Sequence, residues 1–385
     1  MNPQNTAISL ALLGAIFGLA LCHSHPNTAV KITTISLFSA IGVVVGSLVT
    51  PLLNADTANI CNLQKLLRIL TQNNATNATN ATNATNATNT NNANSYIVPQ
   101  LNLSGDHVDI QLTSTYVQQV LCPIVSEIQQ AVVSTTTTIF IGIVGGSGSG
   151  KTTLSQLIVR SLAGLNIPSV TISMDNYHYT NQYLDNTLHS YRTNEQGIPI
   201  KLRKVKGRSE TINSKSMLDD LKRVAAMHTM ETKETQLLLP VYDRALHDPV
   251  SNRLVVPNTT RVVLVEGLHL LRDEKSKEES KSTEEYWIEI RNMFTSLYYL
   301  RFDDYETQKE RVMQRRIRGG ISREWASPRY DQIDAVVGNE IEKECKRAMK
   351  NRNEKRIVVL SLCEDENGKV QLERKEVYDG GLKVV

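Results

Sequence analysis

The stretch Ile139-Phe140-Ile141-Gly142-Ile143-Val144-Gly145-Gly146-Ser147-Gly148-Ser149-Gly150-Lys151-Thr152-Thr153 decides the fold. Its apolar half reads as a buried strand, and the glycines that follow carry the G-x-x-x-x-G-K-[ST] spacing of a phosphate-binding loop. Without Cβ atoms, successive glycine N–H groups can converge on phosphate oxygens. Lys151 can then reach the β/γ-phosphates, and the Thr152 hydroxyl suits Mg2+. Beyond the loop, Leu154, Leu157, Ile158 and Leu162 recur at helical spacing. They predict a helix over 152–165 whose N-terminal dipole also favours an anion. Gly145, Gly146, Ser147, Gly148, Ser149, Gly150, Lys151, Thr152 and Thr153 are therefore the candidate nucleotide-binding residues. A merely flexible Gly/Ser loop would not need the strand before it and the helix after it.

The 385-residue chain is 41% hydrophobic with a net charge of +3. That suffices for one large domain or two smaller ones. Basic residues form no long stripe interleaved with aromatics, so nucleic acid is not an expected partner. Cys22, Cys61, Cys122, Cys345 and Cys363 form no C-x-x-C pair. This argues against a zinc site or a disulfide framework and fits a reducing compartment.

Two uncharged apolar segments, 6–22 and 32–53, open the chain. The second is long enough to span a bilayer and the first sits at the lower edge of the spanning range. A membrane hairpin fits, as does a cleaved signal peptide plus one span, and the lack of a positive n-region favours the hairpin. Either arrangement leaves the following chain in the cytosol, in agreement with Lys65 and Arg68. Residues 1–55 are thus expected to anchor a cytosol-facing protein to a membrane.

Residues 74–88 are five copies of Asn-Ala-Thr, each formally a glycosylation acceptor. Composition this polar cannot build a core, so 56–110 reads as a disordered linker, with a glycosylated stalk as the alternative. Tyr116, Val117, Val120, Leu121, Ile124, Val125 and Ile128 share one helical face, giving an amphipathic helix over 111–133. From 134 to 385, strands and helices alternate as in a parallel sheet flanked by helices on both faces. After the first strand, further strands are expected at 169–173, 261–265, 297–302 and, last, 356–362. The charged insertion between 272 and 285 reads as a mobile surface loop.

In such sheets ligands collect at the carboxyl ends of the strands. There stands Met174-Asp175-Asn176-Tyr177-His178-Tyr179, where Asp175 could take a proton from an attacking hydroxyl. An Asx-turn or N-cap is the structural alternative for Asp175, and His178 reads as a solvated loop histidine. Glu266 follows four apolar residues at a strand end, the position from which an acid serves Mg2+ directly or through water.

Together these residues resemble the P-loop kinases of the phosphoribulokinase, uridine kinase and bacterial pantothenate kinase superfamily. Gly145 to Thr153 is similar to that family's P-loop. Ser173-Met174-Asp175-Asn176-Tyr177 is similar to its Asp-bearing substrate motif, and Val265-Glu266-Gly267 to its acid-Gly strand end. Leu239-Pro240-Val241-Tyr242-Asp243-Arg244 with His247 resembles the segment lining the acceptor pocket, although a plain turn with ion pairing would also account for it. Lys206-Gly207-Arg208-Ser209-Glu210-Thr211 resembles pantothenate kinase-like members more than uridine kinases. The resemblance covers roughly 138–362.

Arg311, Arg315, Arg316, Arg318 and Arg323 lie on a predicted helix and the turn after it. They match the family's mobile lid, whose guanidinium groups stabilise charge on the transferred phosphoryl; a solvated basic face is the alternative. Arg315 and Arg316 are adjacent and point in different directions. Uridine kinases tend to carry an acid after the lid arginines, and here Gly319-Gly320 stands instead.

The resemblance implies a P-loop NTPase-type α/β fold, ATP and Mg2+ as cofactors, and phosphorylation of a hydroxyl on a small metabolite. The acceptor could be a nucleoside, pantothenate, a sugar or a glycerate-like compound. Lys151, Asp175, Arg315 and Arg318 would be catalytic, Tyr177, Tyr242, Arg244 and His247 would bind the acceptor, and Thr152 and Glu266 would serve the metal. The alternative is a membrane-bound ATPase or GTPase switch with no small-molecule acceptor. The chain lacks both an Asn-Lys-x-Asp guanine motif and a Leu-Ser-Gly-Gly-Gln transporter signature, which weighs against that switch.

Overall fold

The computed structural model describes residues 63–71, 95–103, 105–227, 235–272, 281–350, 356–365, 368–379 and 382–383. The chain divides into two units, Met1–Ile60 and Cys61–Val385, and all described residues belong to the second. The expected membrane anchor at 1–55, the Asn-Ala-Thr repeat and most of the charged insertion lie outside the described residues. Among the described residues no helix is long and apolar enough to cross a membrane.

In chain order the elements are α1 (Leu63–Thr71), β1 (Ser95–Leu103), β2 (Asp106–Thr113) and a continuous helix α2. The helix α2 joins Ser114–Tyr116, a π-helical turn Val117–Leu121, and Cys122–Ser134. Next come β3 (Ile139–Gly145), α3 (Lys151–Gly164), β4 (Ser169–Ser173), α4 (Asn181–Asn186), β5 (Leu188–Thr193), β6 (Pro199–Lys201) and α5 (Ser214–Ala226). The hairpin β7 (Gln236–Asp243) and β8 (Asp248–Pro257) precedes β9 (Val262–Gly267), α6 (Lys281–Met293) and β10 (Ser296–Phe302). The chain closes with α7 (Tyr305–Arg318), α8 (Arg323–Arg329), α9 (Ala335–Ala348), β11 (Arg356–Glu364), β12 (Val370–Asp379) and β13 (Leu382–Lys383).

The main sheet has the order β13-β12-β11-β10-β3-β9-β4. Strands β11, β10, β3, β9 and β4 are mutually parallel, while β12 and β13 add antiparallel. Every residue of β3 and β9 is buried, which is why both read as unbroken apolar runs. Alternate side chains go to opposite faces. Ile141 and Ile143 enter one core with Leu154, Leu157 and Ile158 of α3, whereas Phe140 and Val144 enter a second core with residues of α5, α6 and α9.

Two findings differ from the sequence expectation. The parallel sheet does not end at β11: the charged strand β12 pairs along it, and its polar composition suits an edge better than it signals a strand. Residues 63–71 and 95–110, inside the stretch expected to be a linker, form α1 and most of a hairpin. Leu66, Leu70, Val98 and Leu101 from this region are at most 3% exposed and join the core of α3. The bare backbone of Gly164 admits α1, since a Cβ there would lie 2.4 Å from Ile69 Cγ2. The expected helix over 111–133 is present as α2 after the end of β2. Its π-helical turn directly precedes Pro123, which has no N–H and whose ring clashes in a regular helix.

Candidate active site

Parallel register sets the site. Ser173 at the end of β4 and Ile143 of β3 both stand opposite Glu266 of β9, so the P-loop, Glu266 and Asp175 emerge at one edge. Gly148 (φ 81°) and Gly150 (φ 93°) hold the left-handed backbone that glycine adopts without strain. The loop then turns into α3, with Leu154 N donating to Gly150 O at 2.9 Å.

Within it, Lys151 Nζ donates to Gly146 O at 2.9 Å, and Thr152 Oγ1 donates to Glu266 Oε2 at 2.8 Å. Burial pushes the Glu266 carboxyl up, against the pull of Lys151 and Thr152. Burial also lowers the Lys151 ammonium to about 8, opposed by Glu266 and Asp175. The hydroxyl and carboxylate are hard oxygen donors of the kind Mg2+ prefers, and the glycine cradle with its lysine suits a polyphosphate. These residues fit Mg2+ and a nucleotide.

The acceptor side starts at β4. Ser173 Oγ accepts from Asp175 N at 3.3 Å and starts a 3-10 turn, Met174–Tyr177. The Asp175 side chain is 44% exposed and lies 3.7 Å from His178 Nε2. His178 is no solvated loop residue: its side chain is 7% exposed, and Nδ1 donates to Thr211 O at 3.2 Å. Burial lowers its pKa, so Nε2 carries a lone pair facing the Asp175 carboxylate. Two acceptors so placed leave room for one shared donor, such as a substrate hydroxyl.

Tyr242 is held from β7 by its backbone N donating to Asn176 Oδ1 at 2.9 Å, and its ring centroid is 5.5 Å from that of His178. His247, in the exposed turn of the β7–β8 hairpin, takes φ 53° and presents its carbonyl to Lys206 Nζ at 2.7 Å. Arg244 is exposed in the same turn and within electrostatic reach of Tyr242 and Arg315. Tyr177 differs from the sequence expectation. It is 3% exposed, packs in the second core and donates its hydroxyl to Asp220 of α5 at 3.2 Å. The tight turn sends Asp175 and His178 towards the site and Tyr177 into the interior.

The arginine-rich helix α7 sits directly on the P-loop. Gln308 Nε2 donates to Ser147 O at 2.7 Å and Arg311 Nε to Gly148 O at 3.1 Å. Arg315 is in the electrostatic field of Asp175, Asp334 and Arg244. Arg316 instead pairs with Asp334 at 2.6 Å, and Arg323 pairs with Glu310, so both brace the lid. Arg318 is exposed and makes no hydrogen bond or ion pair with the described residues. The structure thus gathers Lys151, Asp175, Tyr242, Arg244, Glu266 and Arg315, and leaves Arg318 outside.

Sequence reasoning missed four contributors, namely His178, Lys206, Gln308 and Arg329. Lys206, 8% exposed, donates to Asn181 Oδ1 at 2.7 Å and stands 5.1 Å from the Tyr242 ring centroid. Arg329 donates to Lys206 O at 2.9 Å. Only Lys206 carried a signal, as the first residue of its Lys-Gly motif.

Residues 140–281 match the model of the Phosphoribulokinase / Uridine kinase family. A protein of Schizosaccharomyces pombe named as a candidate uridine kinase is 26% identical over 210 residues, which is 53% of this chain and 78% of that protein. The uridine kinase of Saccharomyces cerevisiae is 30% identical over 141 residues, 36% of this chain and 24% of that enzyme. Among solved structures, D-glycerate 3-kinase from Cryptococcus neoformans aligns at a TM-score of 0.48 with 14% identity, over 68% of this chain and 99% of that one. The match to the Phosphoribulokinase / Uridine kinase family thus spans the P-loop, Asp175, Tyr242 and Glu266, and the relatives that share it are named as kinases.

Proposed function

We propose that the chain transfers a phosphoryl group from ATP, with Mg2+, to a hydroxyl of a small metabolite. The observation that carries the reading is the Asp175–His178 pair, 3.7 Å apart, with Asp175 in the electrostatic field of Lys151 and Arg315. A base on one side of a phosphate cradle and cations around it are the parts such a transfer needs. When bound, Mg-ATP supplies the phosphoryl group. Lys151 and Arg315 neutralise charge that develops on it, and Thr152 and Glu266 hold the metal. Asp175 accepts the hydroxyl proton while neutral His178 keeps that hydroxyl aimed.

Lys151→Ala in the full-length chain should abolish ATP turnover while the far-UV circular dichroism stays unchanged. Full activity in that variant would overturn the reading. A nucleoside acceptor is the second reading, supported by the names of the two relatives described above and by the Tyr242 ring on which a base could stack. A switch that only hydrolyses nucleotide would release free phosphate whatever acceptor is offered.

We also propose that residues 1–55 tether this kinase to a membrane with its catalytic part in the cytosol. The uncharged runs 6–22 and 32–53 support it. Protease should digest residues 63–385 in intact sealed vesicles; protection of that part would refute the orientation.

A further inference from the structure

The acceptor side holds positive charge that phosphoryl transfer does not use. Lys206 Nζ stands 5.1 Å from the Tyr242 ring centroid, and Arg329 and Arg203 lie within electrostatic reach of both that ring and Lys206. Among the described residues none of them forms an ion pair. Lys206 gives its hydrogen bonds to neutral oxygens, Asn181 Oδ1 and His247 O, both at 2.7 Å. Arg329 gives one to Lys206 O. Arg203 Nη1 is buried with no hydrogen-bond partner. The nearby carboxylates are engaged elsewhere, since Asp248 accepts from Asn181 N at 2.7 Å and Asp334 pairs with Arg316.

Lys206 is buried without an ion pair, while Arg203 is half-buried and Arg329 exposed. Such burial is costly: it and Arg203 lower the Lys206 ammonium to about 8, against the pull of Asp248 and Asp175. An orphaned guanidinium nitrogen beside an ammonium is a ready recess for a charge-assisted bond to an oxyanion. A chain of contacts links Lys206 to Asp175: Lys206 Nζ is 5.1 Å from the Tyr242 ring centroid, that ring is 5.5 Å from the His178 ring, and His178 Nε2 is 3.7 Å from Asp175. Hydroxyl site and cation cluster therefore neighbour one another across the Tyr242 ring.

We propose that the acceptor carries an oxyanion, a carboxylate or a phosphate, which binds Arg203, Lys206 and Arg329 while its hydroxyl lies against Asp175. This rests on the kinase reading and deepens it, because it excludes a neutral nucleoside as the best acceptor. The transfer balances as before: the acceptor oxygen bonds phosphorus, the bond from phosphorus to the ADP oxygen breaks, and the hydroxyl proton passes to Asp175. The three cations act by placing the acceptor and take no part in that exchange.

The test compares acceptors that differ by the charge alone, with full-length protein and labelled ATP. Suitable pairs are glycerate against glycerol, pantothenate against its alcohol, and a pentulose phosphate against the free pentulose, with uridine alongside. One charged member should exceed its neutral partner and uridine by at least about 100-fold in kcat/KM, and which pair responds tells carboxylate from phosphate. Arg203→Met and Lys206→Met should each lower that kcat/KM about tenfold or more, mainly through KM, with Lys206→Arg restoring part of it. Equal or better use of uridine or of the neutral partners would overturn the inference and leave the kinase reading standing. Free phosphate without any labelled acceptor would instead sink the kinase reading. The oxyanion site is then read by melting temperature, with the nucleotide site filled by Mg-ADP and sulfate as the probe against matched chloride. Wild type should gain stability and Arg203→Met should not; no gain in wild type overturns the proposal.

Discussion

Replacing Gly148 with Ala should do more damage than the same change at Gly150, and the difference measures how firmly the lid helix sits on the P-loop. Both glycines are left-handed, at φ 81° and 93°. An Ala at either position costs on the order of 1–2 kcal/mol for its backbone alone. At Gly150 the added Cβ meets nothing within 4 Å. At Gly148 it would lie 2.8 Å from Val312 Cγ2 and 2.9 Å from Gln308 O, both on α7. The second contact is with backbone, so α7 has to move as a body. That movement would strain the bonds Gln308 Nε2 to Ser147 O and Arg311 Nε to Gly148 O. A neutral bond is worth about 1 kcal/mol and one from a charged donor about 1.5–3 kcal/mol. Gly148→Ala should therefore lose roughly 2–4 kcal/mol beyond Gly150→Ala, in urea unfolding of the nucleotide-free, full-length protein. Equal losses for the two variants would show that α7 does not rest on the loop in solution.

Other outcomes follow from the same contacts. A fragment beginning at residue 134 removes the partly or fully buried α1, β1, β2 and α2. Five of the deleted side chains, Leu66, Leu70, Val98, Leu101 and Leu112, are at most 5% exposed, and at about 1.5–3 kcal/mol each their loss rivals a whole domain's stability. That fragment should aggregate or melt early by calorimetry, whereas one beginning at residue 61 should melt with the full chain; a stable 134–385 fragment would refute this packing. His269 is 2% exposed, donates Nε2–H to Gly207 O, and is held by burial at a pKa of about 3. Its folded-state pKa lies below its unfolded value, so its contribution is complete above about pH 6.5 and falls as pH drops towards 3, by at most about 1.4 kcal/mol per unit. His269→Gln should flatten the loss of unfolding free energy between pH 6.5 and 5, and an unchanged slope would contradict the assignment. Trp325 of α8 is 81% exposed while Trp287 is 1% exposed. If the lid closes over ligands, acrylamide quenching of the Trp325 fluorescence should fall when Mg-ADP and acceptor bind together, with Trp287→Phe isolating the signal; no change would place α8 outside the lid.

Much of this site was legible because its chemistry is local in sequence. The P-loop, Asp175 and Glu266 each sit at the end of an apolar run, and parallel register carries all three to one edge of the sheet. What escaped depended on long-range burial. His178 looked like loop, yet it is closed in by Thr211 O from a segment far along the chain. Tyr177 has the composition of a pocket residue, but a single 3-10 turn decides which of Asp175, Tyr177 and His178 faces inward. The arginines of α7 are alike in sequence and different in place, since Asp334 claims Arg316 and Glu364 claims Arg311. The hairpin at 95–113 was hidden by the low-complexity run before it and by a bulge that sets its buried residues Val98 and Leu101 three apart, which breaks the alternation that Ile110 and Leu112 keep on the second strand.

The central claim is that Asp175 takes a proton from an acceptor hydroxyl as the phosphoryl group moves. Its most direct measurement is the rate at which label passes from ATP to the best acceptor of the panel, in full-length wild type and in Asp175→Asn with Mg-ADP affinity as the fold control. The account predicts a stable phosphorylated acceptor and a fall in kcat of about 10²–10⁴-fold in the variant. Label found only as free phosphate, or an Asp175→Asn rate equal to wild type, would contradict it.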